Sequence, residues 1–301
     1  MKRGTYLFLY LLFSTSLFAQ PMNYTFTTGE KINVDQIANV QVNQDVMGMK
    51  MAMRTIISNS LIMEVASVEG DVAKLKSWYS NVAMDFTVDM GAGEPRVLHV
   101  NSTEAPEEPE LLETHKLVKS MIDSPFFIYL NSNGTILKIE GMDVIEANMR
   151  AAVTDESVLN NLGKDFSQEK LRADFARFFV PYPSKELAQG DGWTSTISIP
   201  DLQLIDGDQS WKVDRINPEN NTVDLIALVK DITLDTTENE VHMKLVGDMT
   251  TAYTVNATTG WSELISINSD MTGTAAMSQD GEEYKWPVEM KINSTISMKK
   301  N

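Results

Sequence analysis

The sequence has no cysteine and only three histidines in 301 residues. Without cysteine there is no disulfide framework, thiol nucleophile, iron–sulfur cluster or cysteine-ligated zinc. Positive charge is scarce too: 25 Lys and Arg stand against 42 Asp and Glu, a formal charge of −17. Nucleic acid is therefore excluded as a partner, because phosphate binding needs clustered cations to displace counterions. With only 10 prolines and 16 glycines beside 43% hydrophobic residues, the chain is neither collagen-like nor low-complexity; it is globular.

Long apolar runs are missing beyond the N-terminus. Tyr6–Phe13 (YLFLYLLF) is unbroken but far shorter than the ~20 residues that span a bilayer. It follows a basic start at Lys2-Arg3 and precedes the small residues of Ser14–Ala19, the three-part plan of a secretory signal. The reading is a signal peptide over 1–19, then a mature chain over 20–301 with no transmembrane anchor after cleavage. Export without cysteine points to a bacterial envelope, periplasmic or extracellular, since eukaryotic secreted chains of this size usually carry disulfides. Gln20 stands where a lipoprotein needs cysteine.

What is present is period two. Val82, Met84, Phe86, Val88 and Met90 alternate with polar or small residues, as do Val241, Met243, Leu245, Met249 and Tyr253. Val288, Met290, Ile292, Ile296 and Met298 repeat the pattern. Alternation of this kind predicts antiparallel strands with one face buried, and argues against parallel nucleotide-binding folds. Gly70-Asp71, Asn133-Gly134, Thr259-Gly260 and Asp280-Gly281 supply hairpin or turn signals between strands. Acidic Asn101–Glu110, with two prolines, reads as an exposed linker.

The middle has helical spacing instead. Leu111, His115, Val118 and Ile122 predict one helix, Met142–Arg150 a second and Ser157–Phe166 a third. From an N-cap at Ser167, Leu171, Phe175, Phe178 and Phe179 form an apolar stripe that Pro181 and Pro183 stop. The expected organisation is a single unit: a β block over 24–100, a helical middle with one hairpin over 106–183, and a β block over 190–299. The fold class is α+β, mainly antiparallel β, with curved sheets or an open half-barrel whose apolar face packs on the central helical segment.

The motifs Phe126-x-Ile128-x-Leu130-x-x-x-Gly134-x-Ile136, Phe179-x-Pro181-x-Pro183, Gly190-x-Gly192-Trp193 and Thr259-Gly260 carry a resemblance. On these turn and packing residues the chain resembles an uncharacterised family of exported bacterial envelope proteins, which implies export and a β-rich fold. A looser architectural similarity is to periplasmic lipoprotein carriers, in which a curved antiparallel sheet wraps helices around an apolar cavity.

Candidate chemistry is thin. His99, His115 and His242 form no HExxH or close pair, and there is neither a GxSxG elbow nor a phosphate-binding glycine loop. Asp206-Gly207-Asp208 begins like a calcium loop, but the twelfth position is Asn217 rather than a bidentate Glu. No catalytic residue, metal or cofactor is assigned, and the expectation is a protein that is not an enzyme. The unusual segment is Met47-Gly48-Met49-Lys50-Met51-Ala52-Met53. Read as one strand, it projects Met47, Met49, Met51 and Met53 to one face. Copper binding would need interleaved histidine or carboxylate, so the stripe is read as core or as the wall of an apolar cavity. The candidate ligand-binding set is Met47, Met49, Met51, Met53, Phe175 and Phe178. The expected function is binding of a lipid or other apolar ligand; the rival is an envelope interaction module with a protein partner and no ligand.

Cleavage after Ala19 makes Gln20 the first residue of the mature protein. N-terminal sequencing of protein from its native host checks this, and an intact Met1 in membrane extracts would identify an anchor instead.

Overall fold

The computed structural model describes residues 21–301 apart from 92, 155–167, 200–203, 239–240 and 280–281. The signal segment 1–19, the helix expected over Ser157–Phe166 and the turn at Asp280-Gly281 lie outside the described residues. Three long strands open the fold: β1 (Lys31–Val46), β2 (Met49–Glu69) and β3 (Val72–Asp89), followed by the short β4 (Arg96–Asn101). The middle holds α1 (Leu112–Ser120), β5 (Phe126–Asn131), β6 (Ile136–Glu140), α2 (Met142–Ala152) and α3 (Gln168–Ala176). The rest is β7 (Gly192–Ile199), β8 (Leu204–Asn217), β9 (Thr222–Glu238), β10 (Val241–Asn256), β11 (Ser262–Gln279) and β12 (Glu282–Lys300).

All twelve strands form one antiparallel sheet in the order β6-β5-β3-β2-β1-β12-β11-β10-β9-β8-β7, with β4 added on β3. It is not closed into a barrel: β6 and β7 are its ends. The link between its two halves is the long β1–β12 ladder, running from Ile32 opposite Lys300 to Gln44 opposite Val288. At about 3.3 Å per residue, the 21-residue β2 is roughly 70 Å long. β3 passes through a bulge at Ser80 opposite Ser60 and Leu61 and ends at Asp89, one residue short of Met90 in the alternating stretch.

Curvature has local causes. On β9 an extra residue bulges out near Asp231, whose φ is +56°, opposite Asp248. On the facing strands Gly247 and Gly273 sit where a Cβ would run into the backbone of Asp270–Met271 and of Lys244–Leu245. Bulges and side-chain-free positions let neighbouring strands coil tightly, so β9–β11 bend across this line. Period two sends Ile32, Val34, Leu61, Met63, Leu75, Leu225, Leu245, Ile265 and Ile296 to one inner face, where all are buried.

The end of the sheet that carries Ile32, Met63 and Leu130 is plugged. Tyr24, Phe179, Tyr182 and Trp261 form an aromatic knot, with Tyr24 and Trp261 centroids 5.2 Å apart and Tyr24 and Tyr182 5.4 Å apart. Hydrogen bonds pin it: Val180 N donates to Tyr24 Oη at 2.7 Å, and Tyr182 Oη donates to Gly260 O at 2.7 Å. Backbone bonds Tyr24 N to Ser132 O and Thr25 N to Thr259 O tie the N-terminal segment to loops of both halves. The helices lie on the same inner face: Leu111 and Val118 meet Val82 and Val100, while Phe175 meets Phe126 at 5.2 Å.

Two local expectations are corrected. The third helical stripe is cut short: α3 ends at Ala176, and Phe178 and Phe179 follow in tight turns with N–H groups on Phe175 O and Ala176 O. The segment after β4 begins tied to the sheet, Ser102 being buried and bonded to Val82 through both backbone and Oγ. His115, in the apolar stripe of α1, is buried with its Nδ1 2.8 Å from Asn101 O.

Burial raises the phenol pKa values of Tyr24, Tyr182 and Tyr253 above the ordinary 10.0. A group whose pKa rises on folding contributes stability in full below its unfolded value and loses it as pH climbs toward the folded one. Stability should therefore decline from about pH 10 upward, and part of the tyrosinate absorbance should appear only as the far-UV β signal is lost. Full tyrosine ionisation with an intact sheet would contradict this.

Candidate functional site

The inner face continues past the helices. Above the knot, toward the end where β1 turns into β2, the same period-two positions carry Val40, Val42 and Val46 on β1, Met49, Met51, Met53 and Ile57 on β2, and Met84, Phe86 and Val88 on β3. Across the β1–β12 ladder the wall continues with Val288, Met290 and Ile292, then Met271 and Met277 on β11, then Met243 and Met249 on β10. Methionine thus recurs on five of six adjacent strands at positions that share one face, β1 between β2 and β12 contributing valines instead.

Coverage of this wall is unequal. On the β10–β12 side Leu245, Met249, Met271, Val288 and Met290 are buried. On the β1–β3 side every inner residue from Val40 to Val46 and from Met49 to Ile57 is half-buried or exposed, and so are Met84, Phe86 and Val88. A polar boundary separates this open wall from the plugged core: Asn59 Nδ2 donates to Gln36 Oε1 at 3.2 Å, and Gln36 Nε2 to Ser294 Oγ at 3.5 Å. The open surface is apolar, made of flexible thioethers and branched aliphatics, and it is suited to adaptable contact rather than to bond-making chemistry.

The six residues expected to form a site do not come together. Met47 is not in a strand: with Gly48 it makes the two-residue β1–β2 turn, at φ +54° and +85°, closed by Gly48 N on Asp45 Oδ1 at 2.8 Å. It is 74% exposed, so the inward stripe of four methionines is corrected to three. Met49, Met51 and Met53 do share the inner face, but Met49 is 52% and Met53 37% exposed, and among the described residues no helix covers them. Phe175 and Phe178 are buried in the plugged core, 5.8 Å apart. Phe126, against Phe175, pairs with Ser77, which pairs with Met63, ten residues along β2 from Met53. That places the phenylalanines and the methionines about 33 Å apart along the strand direction. The residues missed, Met84, Met243, Met271, Met277 and Met290, are legible as strand alternation; their convergence requires the strand order.

The histidines fall on separate elements: His99 of β4 beside Asp85, His115 of α1, and His242 of β10 near Thr237 and Asp235. Asp208 is exposed on β8. Among the described residues no helix is long and apolar enough to cross a membrane.

The chain belongs to a family of unknown function (DUF6263), whose model matches residues 70–262. The match spans β3 to the start of β11, and so takes in the helices and much of the inner face. No curated protein is a sequence match. Among solved structures, one of lipovitellin, described as showing lipid–protein interactions, is similar at a TM-score of 0.51 and 9% identity. The likeness covers 91% of this chain and 25% of that one, so the chain spans about a quarter of the length of the lipovitellin chain and shares its fold there. An outer membrane channel from Pseudomonas putida F1 matches at a TM-score of 0.24 and 7% identity, over 92% of this chain and 97% of the channel.

The exposure difference along β2 has a stability consequence. Met63 is fully buried, and Met63→Ala should cost about 2–5 kcal/mol. Met51→Gln, on the open wall, should cost less than about 1 kcal/mol. Urea unfolding of the two variants checks the order; equal costs would mean that the wall is covered.

Proposed function

We propose that this is an exported, non-enzymatic envelope protein that holds a lipid or other apolar ligand against the open, methionine-lined half of its inner face. The observation that carries the reading is the mismatch between apolarity and cover: an inner face apolar on both sides of the Gln36, Asn59 and Ser294 belt, with helices and aromatic knot over one end and half-exposed Met49, Met51, Met53 and Phe86 at the other. Covering each 100 Å² of such surface stabilises by about 2.5 kcal/mol, so an acyl chain laid along the wall supplies useful affinity. Methionine favours contents of variable shape, because its unbranched thioether repacks at little cost. Lipovitellin, whose structure concerns lipid–protein interactions, supports the reading through a shared sheet architecture. Export rests on the N-terminal segment, and the absence of enzymatic activity on the scattering of the histidines.

The test uses the mature chain after solvent delipidation. A diacyl lipid should displace an apolar fluorescent probe from it, and Met51→Glu with Met53→Glu should weaken probe binding by about tenfold or more, since a carboxylate on the wall must be desolvated. A wild-type chain that takes up neither probe nor lipid, or a double variant that binds like wild type, overturns the reading.

A further inference from the structure

At the opposite end of the sheet, the seam between the end strands β6 and β7 is bridged by α3, which packs against both. Beside α3 lies a cleft of about 640 Å³. Its apolar walls include Ile136 of β6, Phe179 and Ile197 of β7, and its polar groups include Arg172, Arg177 and Gln209. This size is that of small-molecule pockets, and the mixture of apolar wall with a few convergent polar groups is their usual make-up.

From this juxtaposition we propose a second binding site, distinct from the methionine wall, for an amphiphile with a carboxylate or phosphate head. Two guanidinium groups, one turn and a residue apart on and just after α3, converge on one cleft in a chain whose formal charge is −17. Arg177 is held by Asp174, with Nη2 on Oδ1 at 3.0 Å and Nε on the Asp174 carbonyl at 3.4 Å. That engages the Nε–Nη2 edge of Arg177 and fixes its plane with Nη1 left as donor to the cleft, while Arg172, exposed, has no ion pair among the described residues. Gln209 is buried, with Oε1 accepting from Ser195 Oγ at 3.4 Å, and Tyr253 is buried with its hydroxyl on Arg177 O. Guanidinium forks match carboxylate and phosphate oxygens with charge-assisted hydrogen bonds, and Phe179, Ile136 and Ile197 accept the start of a hydrocarbon tail.

Calorimetry with three ligands of equal chain length, below their aggregation limits, tests this on the mature full chain. Palmitate and hexadecyl phosphate should each bind at least about tenfold tighter than uncharged hexadecanol, and added salt should narrow the gap. In the Arg172→Gln/Arg177→Gln double variant the preference should fall to near one. Arg172→Gln alone, at an exposed position, should reduce it several-fold with the fold intact. Palmitate without hexadecyl phosphate would assign a carboxylate head, and the reverse a phosphate head. No charge preference in wild type, or a preference that survives the double substitution, overturns the site. Because the readout is a ratio between charged and neutral heads, it is separate from whether the methionine wall binds at all.

Discussion

The β1–β12 ladder is the contact on which the architecture depends. It pairs residues more than 240 positions apart, from Ile32 with Lys300 to Gln44 with Val288, and without it the chain would hold two sheets, each with an uncovered inner face. Contacts of such sequence separation carry a high loop-closure cost and fold slowly, so they must be backed by burial. That backing is uneven between the two strands. Ile32, Val34, Ile296 and Met298 are buried beneath the aromatic knot, whereas Val40, Val42 and Ile292 farther along are only half covered. The ladder is buried on both strands at its plugged end; at the other, Val288 and Met290 of β12 are buried while Val40 and Val42 of β1 are only half covered.

Much of this fold is written in period two. The strands around Val82–Val88, Val241–Tyr253 and Val288–Met298 and the hairpins at Gly70-Asp71 and Asn133-Gly134 follow directly from alternation and turn chemistry. The Met47-Gly48 turn does not, because positive φ at methionine is uncommon and Met47 continues the alternation of Met49, Met51 and Met53. The glycine beside it and Asp45 three residues earlier were the available signals. The end of α3 was hidden for a similar reason: Phe178 and Phe179 keep helical spacing after the backbone has left the helix, and Pro181 marks only the outer limit.

The site was legible as a residue type but not as a place. Periodicity assigns a face within a strand; it does not say which strands are neighbours or which length of a strand is covered. A strand of roughly 70 Å can be core at Met63 and open at Met53, and within β2 a polar residue on the inner face, Asn59, marks the change. The pairing of Asn59 with Gln36 of the neighbouring strand, and of Gln36 with Ser294 more than 250 residues away, completes the boundary only in the folded sheet. The seam cleft is harder still, since β6, α3 and β7 meet there only after the sheet has bent at Asp231, Gly247 and Gly273.

Methionine at Met49, Met51 and Met53 has no stability rationale in the free chain. Valine, isoleucine and threonine fit half-buried strand positions better, because their branched Cβ suits the pleated surface and loses less freedom on ordering. Three long flexible side chains on an open wall therefore carry an entropy cost that burial offsets only in part. The same side chains become favourable once something apolar covers them, since a thioether adjusts its rotamer to the contour it meets. The buried methionines Met249, Met271 and Met290 show the covered state on the facing strands. On the β2 side no such cover comes from the described residues, and under the proposed reading an apolar occupant completes the wall.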